Sequence, residues 1–284
     1  MWRGISLHNQ IGEMLSQGPK YGKVHSVFRR TVNLTDEDEN MISLVTRKMD
    51  YAPISILVDI DEFQDCKICA GEAVYFHEKR IIIGPRILDI SHAEHYVLKR
   101  GVYKSSGDLL EKNLKYLESF IYANGPEAIY SFETAAFQMV VQRTRLVQKA
   151  FLENDREQII QAGKGLLGLG QGLTPSGDDV LMGIFLVLGL DNSPAKHLHS
   201  ILEEIIKDSR EETTDISYEG LYRASKGFYR SILSEAAEAL VRSKNIEEIL
   251  RKVMAIGHSS GRDLLYGILT GYKILVEKEK DYAN

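Results

Sequence analysis

A glycine-studded loop that runs without a break into a helix apolar on every side constrains this chain more than any other feature. The loop spans residues 163–179 and carries Gly163, Gly165, Gly168, Gly170, Gly172 and Gly177; the helix continues from Val180 through Leu190. A surface helix shows a polar stripe, so a helix without one belongs at the centre of a domain. The apolar run is too short to span a bilayer. Ser176 with Asp179 three residues on reads as a capping box, which sets the helix start at the end of the loop. The glycines permit positive φ and close backbone approach, to a ligand or to other protein. Unpaired N–H groups at a helix N-terminus also make such a turn a candidate anion site.

The same wording returns near the C-terminus. Residues 259–268 align with residues 175–184, with Ser260, Gly261, Asp263, Leu265, Gly267 and Ile268 repeating Ser176, Gly177, Asp179, Leu181, Gly183 and Ile184 at a constant spacing of 84 residues. Two such segments are expected to be structural counterparts, with their helix N-termini facing one site.

The loop from Gly168 to Asp179 resembles the signature of the oxamate carbamoyltransferase small-subunit family, the AllH-like group. The segment Gly257 to Asp263 is similar to the second motif of that family, and Thr213-Thr214-Asp215-Ile216-Ser217 to a weaker middle one. Val27 to Leu34 is similar to its opening strand. Gln171 departs from the pattern, which has proline there. The resemblance implies a subunit that works with larger partner subunits and transfers a carbamoyl group between carbamoyl phosphate and oxamate in purine (allantoin) breakdown. Two alternatives from other classes are a non-catalytic metabolite-binding subunit and a metal-dependent small-molecule kinase or amidase.

Charge and composition narrow the partners. A net charge of −5 with 26% charged and 44% hydrophobic residues describes a globular chain without the basic face that nucleic acid requires. The first residues, Met1 to Ser6, lack the apolar core of a secretory signal, so a cytoplasmic protein with no membrane partner is expected. Cys66 and Cys69 form a lone C-x-x-C with no second pair to complete a zinc site, which favours two reduced thiols beside a sheet. The acidic run Asp59, Asp61, Glu62 and Asp65 lacks the glycine and terminal glutamate of a calcium loop and reads as a solvated loop.

Periodicity divides the chain. Alternating apolar residues at Val24, Phe28, Val32 and Leu34, then short runs at 41–45, 54–58, 73–76 and 80–84, describe a series of strands. From Leu110 the period becomes helical. Helix starts are expected at Ser105 with Asp108, at Pro126 and at Asp155, and further helices over about 195–209, 216–228, 230–243 and 245–256. The expected architecture is α+β: a small β barrel or sandwich over 1–104, followed by a larger α-helical domain over 105–284 with a buried central helix.

Site candidates come from the two related motifs. Asp179 and Asp263 are assigned to capping, whereas Asp178 and Arg262 hold matching positions without that duty. With His258 they form the catalytic candidates, and Gly168, Gly170, Gly172, Thr174, Ser176, Gly177, Ser260 and Gly261 the substrate-binding ones. Two carboxylates at a helix mouth repel a bare dianion, and no Gly-Lys-Ser/Thr follows the glycines as in a P-loop. Either a divalent cation such as magnesium bridges them to a phosphate, or the ligand brings a hydrogen-bond donor to Asp178. No resident metal site is assigned. Oxamate fits the second case, with an amide for Asp178 and a carboxylate for Arg262.

Overall fold

The computed structural model describes residues 1–104, 107–124 and 132–283. The chain divides into two compact units, Met1–Lys99 and Arg100–Asn284. The parts expected of Ser105 and Pro126 lie outside the described residues.

The first unit is a closed barrel. Its strands are β1 (Trp2–His8), β2 (Lys20–Val27), β3 (Thr31–Asp36), β4 (Met41–Thr46), β5 (Ser55–Val58), β6 (Ala73–His77), β7 (Arg80–Ile83), β8 (Arg86–Asp89) and β9 (Glu94–Tyr96), with helix α1 (Asn9–Ser16) after β1. The order β5-β4-β3-β2-β6-β7-β8-β1 closes on itself because β1 also pairs with β5; β9 is the extra strand, added alongside β1. One strand can do this because β1 divides its edges. Trp2 and Arg3 pair with β8, Gly4 to Leu7 pair with β5 on the other side, and Ser6 to His8 pair with β9. Closure removes the exposed edges that an open sandwich would leave.

Period-two pairs fill the interior. Val32 and Leu34, Ile42 and Leu44, Ile56 and Val58, Val74 and Phe76, and Ile81 and Ile83 all point inward and are buried. Helix α1 adds Ile11 and Leu15 to the same core. The single strand expected through Val24 and Leu34 is a hairpin, because Phe28 N–H bonds back to the Thr31 carbonyl at 2.7 Å and reverses the chain. Both cysteines are free, Cys66 half-buried in a short 3-10 turn and Cys69 exposed; burial pushes the Cys66 thiol up from its usual pKa. Three members of the acidic run are ion-paired: Arg47 bonds Asp59 and Asp61, Lys48 bonds Asp61, and Arg29 bonds Glu62.

The second unit is helical: α2 (Asp108–Ala123), α3 (Phe132–Glu153), α4 (Arg156–Lys164), α5 (Ser176–Leu188), α6 (Ile201–Ile206), α7 (Asp215–Ser225), α8 (Ser231–Arg242), α9 (Glu247–Met254) and α10 (Ser260–Ala283). Helix α5 is the buried centre, with Val180, Leu181, Ile184, Phe185, Leu186, Val187 and Leu188 at 2% exposure or less. Its neighbour is α10, and the contact is backbone against backbone. A Cβ on Gly183 would lie 2.7 Å from Ile268 N and 2.8 Å from Gly267 Cα, and one on Gly267 would lie 2.9 Å from Gly183 Cα. Further along, a Cβ on Gly271 would meet Val187. Residue 183 therefore faces 267 and residue 187 faces 271, so the two helices run side by side in the same direction. The sequence repeat is a local pseudo-two-fold, and its glycines are the residues on the axis. No helix among the described residues is long and apolar enough to cross a membrane.

Candidate functional site

Parallel packing brings the N-termini of α5 and α10 together, and their partial positive charges add. The loop before α5 is shaped by glycines in left-handed conformations, Gly168 (φ 66), Gly170 (φ 119) and Gly172 (φ 99). At Gly168 a Cβ would also collide with the Glu212 carbonyl, so this position requires glycine on two counts. Gly177 and Gly261, the second residues of the two motifs, play matching parts. A Cβ on Gly177 would strike the Leu166 carbonyl, and one on Gly261 the Val253 carbonyl.

The capping boxes expected within each helix do not form. Pro175, in an extended conformation, is the N-cap of α5, and its carbonyl takes the N–H groups of Asp178 and Asp179 at 3.0 and 3.2 Å. Ser176 is thus already inside the first turn and its hydroxyl is released from capping. On α10 the Ser259 carbonyl takes the Asp263 N–H at 3.1 Å, which leaves Ser260 in the equivalent place. The hydroxyls cross over instead. Ser176 faces Asp263 and Ser260 faces Asp179, each opposing the upward pull of burial on its partner's pKa. Thr174 Oγ1 and Ser260 Oγ lie 2.7 Å apart and close the crossing.

Asp178 is fully buried and its carboxylate is a tether. Oδ1 accepts the Gly168 N–H at 2.9 Å, and Oδ2 accepts the hydroxyls of Ser217, at 2.6 Å, and Thr213. It ties the glycine loop to the start of α7. Thr214, the N-cap of α7, strengthens the join: its hydroxyl oxygen accepts the Ser217 N–H at 3.1 Å and donates to the Leu173 carbonyl at 2.5 Å. The absence of capping duty at Asp178 had hidden this role. Thr213 and Ser217 were not among the site candidates; the middle motif 213–217 was the signal that could have found them.

Arg262 does not meet Asp178. Its Nε and Nη2 both lie 3.1 Å from Asp263 Oδ1, and its guanidinium sits 4.4 Å from the centre of the Phe137 ring. His258 is exposed in the turn before α10. Burial raises the pKa of all three aspartates. At Asp178 the opposing hydrogen bonds come from Ser217, Thr213 and Gly168. At Asp179, raised well above the ordinary carboxylate range, the like charge of Asp263 adds to burial. At Asp263 the Arg262 guanidinium works against it. Among the described residues, no three His, Cys, Asp or Glu side chains gather as a metal-binding group.

The chain is therefore a two-unit protein, a closed β barrel and a helical bundle, whose paired glycine-pinned helix starts bring buried carboxyl and half-buried hydroxyl groups together as a candidate site. Residues 166–272, which contain both motifs, match the model of the oxamate carbamoyltransferase subunit AllH, and residues 3–95, the barrel, match that of the AllH family N-terminal domain. The chain belongs to the AllH family. No solved structure matches it.

Proposed function

We propose that this chain is a cytoplasmic subunit of a carbamoyltransferase that acts on oxamate and carbamoyl phosphate in purine (allantoin) catabolism, together with larger partner subunits. The observation that carries the reading is that both units match models of one family and that the site lies inside the segment matched by the subunit model. In the reaction the amide nitrogen of oxamate bonds to the carbamoyl carbon. The C–O bond to phosphate breaks, and an N–H proton leaves with the phosphate. The site offers half-buried hydroxyls at Thr174, Ser176 and Ser260 to orient a substrate.

The test is reconstitution. The chain and its larger partner subunits would be purified separately and together, and carbamoyl transfer to oxamate measured as phosphate release and carbamoylated product. Transfer by the assembly that disappears when this chain is left out supports the reading. Transfer by the partners alone, undiminished, makes the chain a binding or gating subunit and refutes the catalytic share assigned here.

A further inference from the structure

Two buried oxygens in the site are unaccounted for. Asp179 is 4% exposed and Asp263 0%, and Oδ2 of each has no hydrogen-bond partner among the described residues. Buried carboxylate oxygens are rarely left without a donor, since each costs about 1–3 kcal/mol. Here the two occupy equivalent positions on the pseudo-two-fold, each facing the hydroxyl at the mouth of the other helix. Asp178 differs: both of its oxygens are bonded.

We propose that the paired N-termini of α5 and α10 bind the primary amide of a small anionic acid amide, whose N–H groups donate to Oδ2 of Asp179 and Asp263. The chemistry of the ligand rests on the function proposed above; the placement of its amide rests on the two orphaned oxygens. A primary amide nitrogen carries two N–H donors, which is what two unbonded acceptors lack. The anionic end falls to Arg262. Its Nε and Nη2 are spent on Asp263, whereas Nη1 makes no hydrogen bond among the described residues, and stacking on Phe137 holds the fork in place. Thr174, Ser176 and Ser260, which are half-buried, lie next to the exposed loop residues Gly170 to Leu173 and are the hydroxyls nearest solvent at this site. A bare dianion such as inorganic phosphate lacks the N–H donors and is disfavoured next to the carboxylates.

Calorimetric titrations with oxamate and with oxalate test this, in the full chain alone and assembled with its partners. Oxalate keeps the anionic end and has no N–H. The expected result is oxamate binding at least about tenfold tighter than oxalate, lost at least about tenfold in Asp179→Asn and in Asp263→Asn at unchanged circular dichroism, since each tenfold step is one hydrogen-bond-sized term. Equal affinity for oxalate, or Asn variants that bind as the parent does, would overturn the site. So would a parent protein, alone and assembled, that binds no oxamate. If the Asn variants do not fold, Thr174→Val decides: it keeps shape and removes the hydroxyl beside Ser260, so oxamate binding should fall by threefold or more, and unchanged binding would sink the proposal. The reconstitution assay separates the two readings. Carbamoyl transfer without oxamate binding at these residues removes the site and leaves the function; oxamate binding through them without transfer does the reverse.

Discussion

Adding a single methyl group to the axis of the α5–α10 pair should be among the most damaging small changes available. In Gly183→Ala the new carbon lands 2.7 Å from Ile268 N and 2.8 Å from Gly267 Cα. The nearest atom of all is the Leu264 carbonyl oxygen, closer than either. Ordinary contact begins near 3.5 Å, so the helices must part by about 1 Å, a gap that forfeits a quarter to a half of the dispersion between the facing atoms. All three neighbours are backbone, so none can rotate away. Overpacking of a close-packed interior costs about 1–3 kcal/mol. With no rotamer available for relief the upper end applies, and the gain in helix propensity from glycine to alanine returns about 1 kcal/mol. A net loss of about 2 kcal/mol corresponds to a melting temperature lower by about 4–8 °C for a helical unit of this size. The control is Gly220→Ala, in α7, whose only close neighbour is the flexible end of Met182 at 3.1 Å. There the propensity gain stands nearly alone, and stability should rise by up to about 1 kcal/mol. Thermal unfolding of both variants by circular dichroism is the assay. A Gly183→Ala protein as stable as the parent would refute the backbone-contact reading, as would equal losses at the two positions.

Other consequences follow from the site and the packing around it. Asp178→Ala strands the Gly168 N–H and the Thr213 and Ser217 hydroxyls, and should cost 3 kcal/mol or more at about 1–3 kcal/mol per buried unpaired group; limited proteolysis should then open the loop around Gly170, whereas Asp178→Asn, which keeps an acceptor for Gly168, should be milder in urea unfolding. Thr214→Ala removes the N-cap of α7 and should cost about 1 kcal/mol, read as a lower urea midpoint at unchanged slope. His199, bonded to the Tyr229 hydroxyl at 2.8 Å, has its pKa lowered from 6.5 to about 4, chiefly by burial. Its unfolded form binds the proton first, so its contribution is present above pH 6.5 and lost as the pH falls toward 4, with an upper limit of about 3 kcal/mol. A His199→Gln protein should lose part of that acid sensitivity, and an unchanged pH profile would disprove it. Asp179 acts in the opposite sense: its raised pKa favours folding below the usual 3.8 and that contribution fades as the pH rises through the higher value.

Local rules made much of the architecture legible in the chain. The all-round apolar helix after Asp179, the switch from period-two strands to helical spacing near residue 110, and the repeat at 84 residues each report a local preference repeated often enough to survive tertiary context. They account for the α+β order, the buried α5 and the pairing of α5 with α10. Tertiary structure decided the rest. Barrel closure depends on β1 dividing its edges among β5, β8 and β9, and no alternation within Trp2–His8 announces that. The serine-to-aspartate spacing reads as capping in one dimension; in three, Pro175 takes the cap, and the hydroxyls cross to the neighbouring helix because the parallel packing places them there. Asp178 and Arg262 looked like a matched pair because sequence shows position along a helix. The direction each side chain takes depends on what packs beside it, and here α7 claims Asp178 whereas Phe137 and Asp263 claim Arg262.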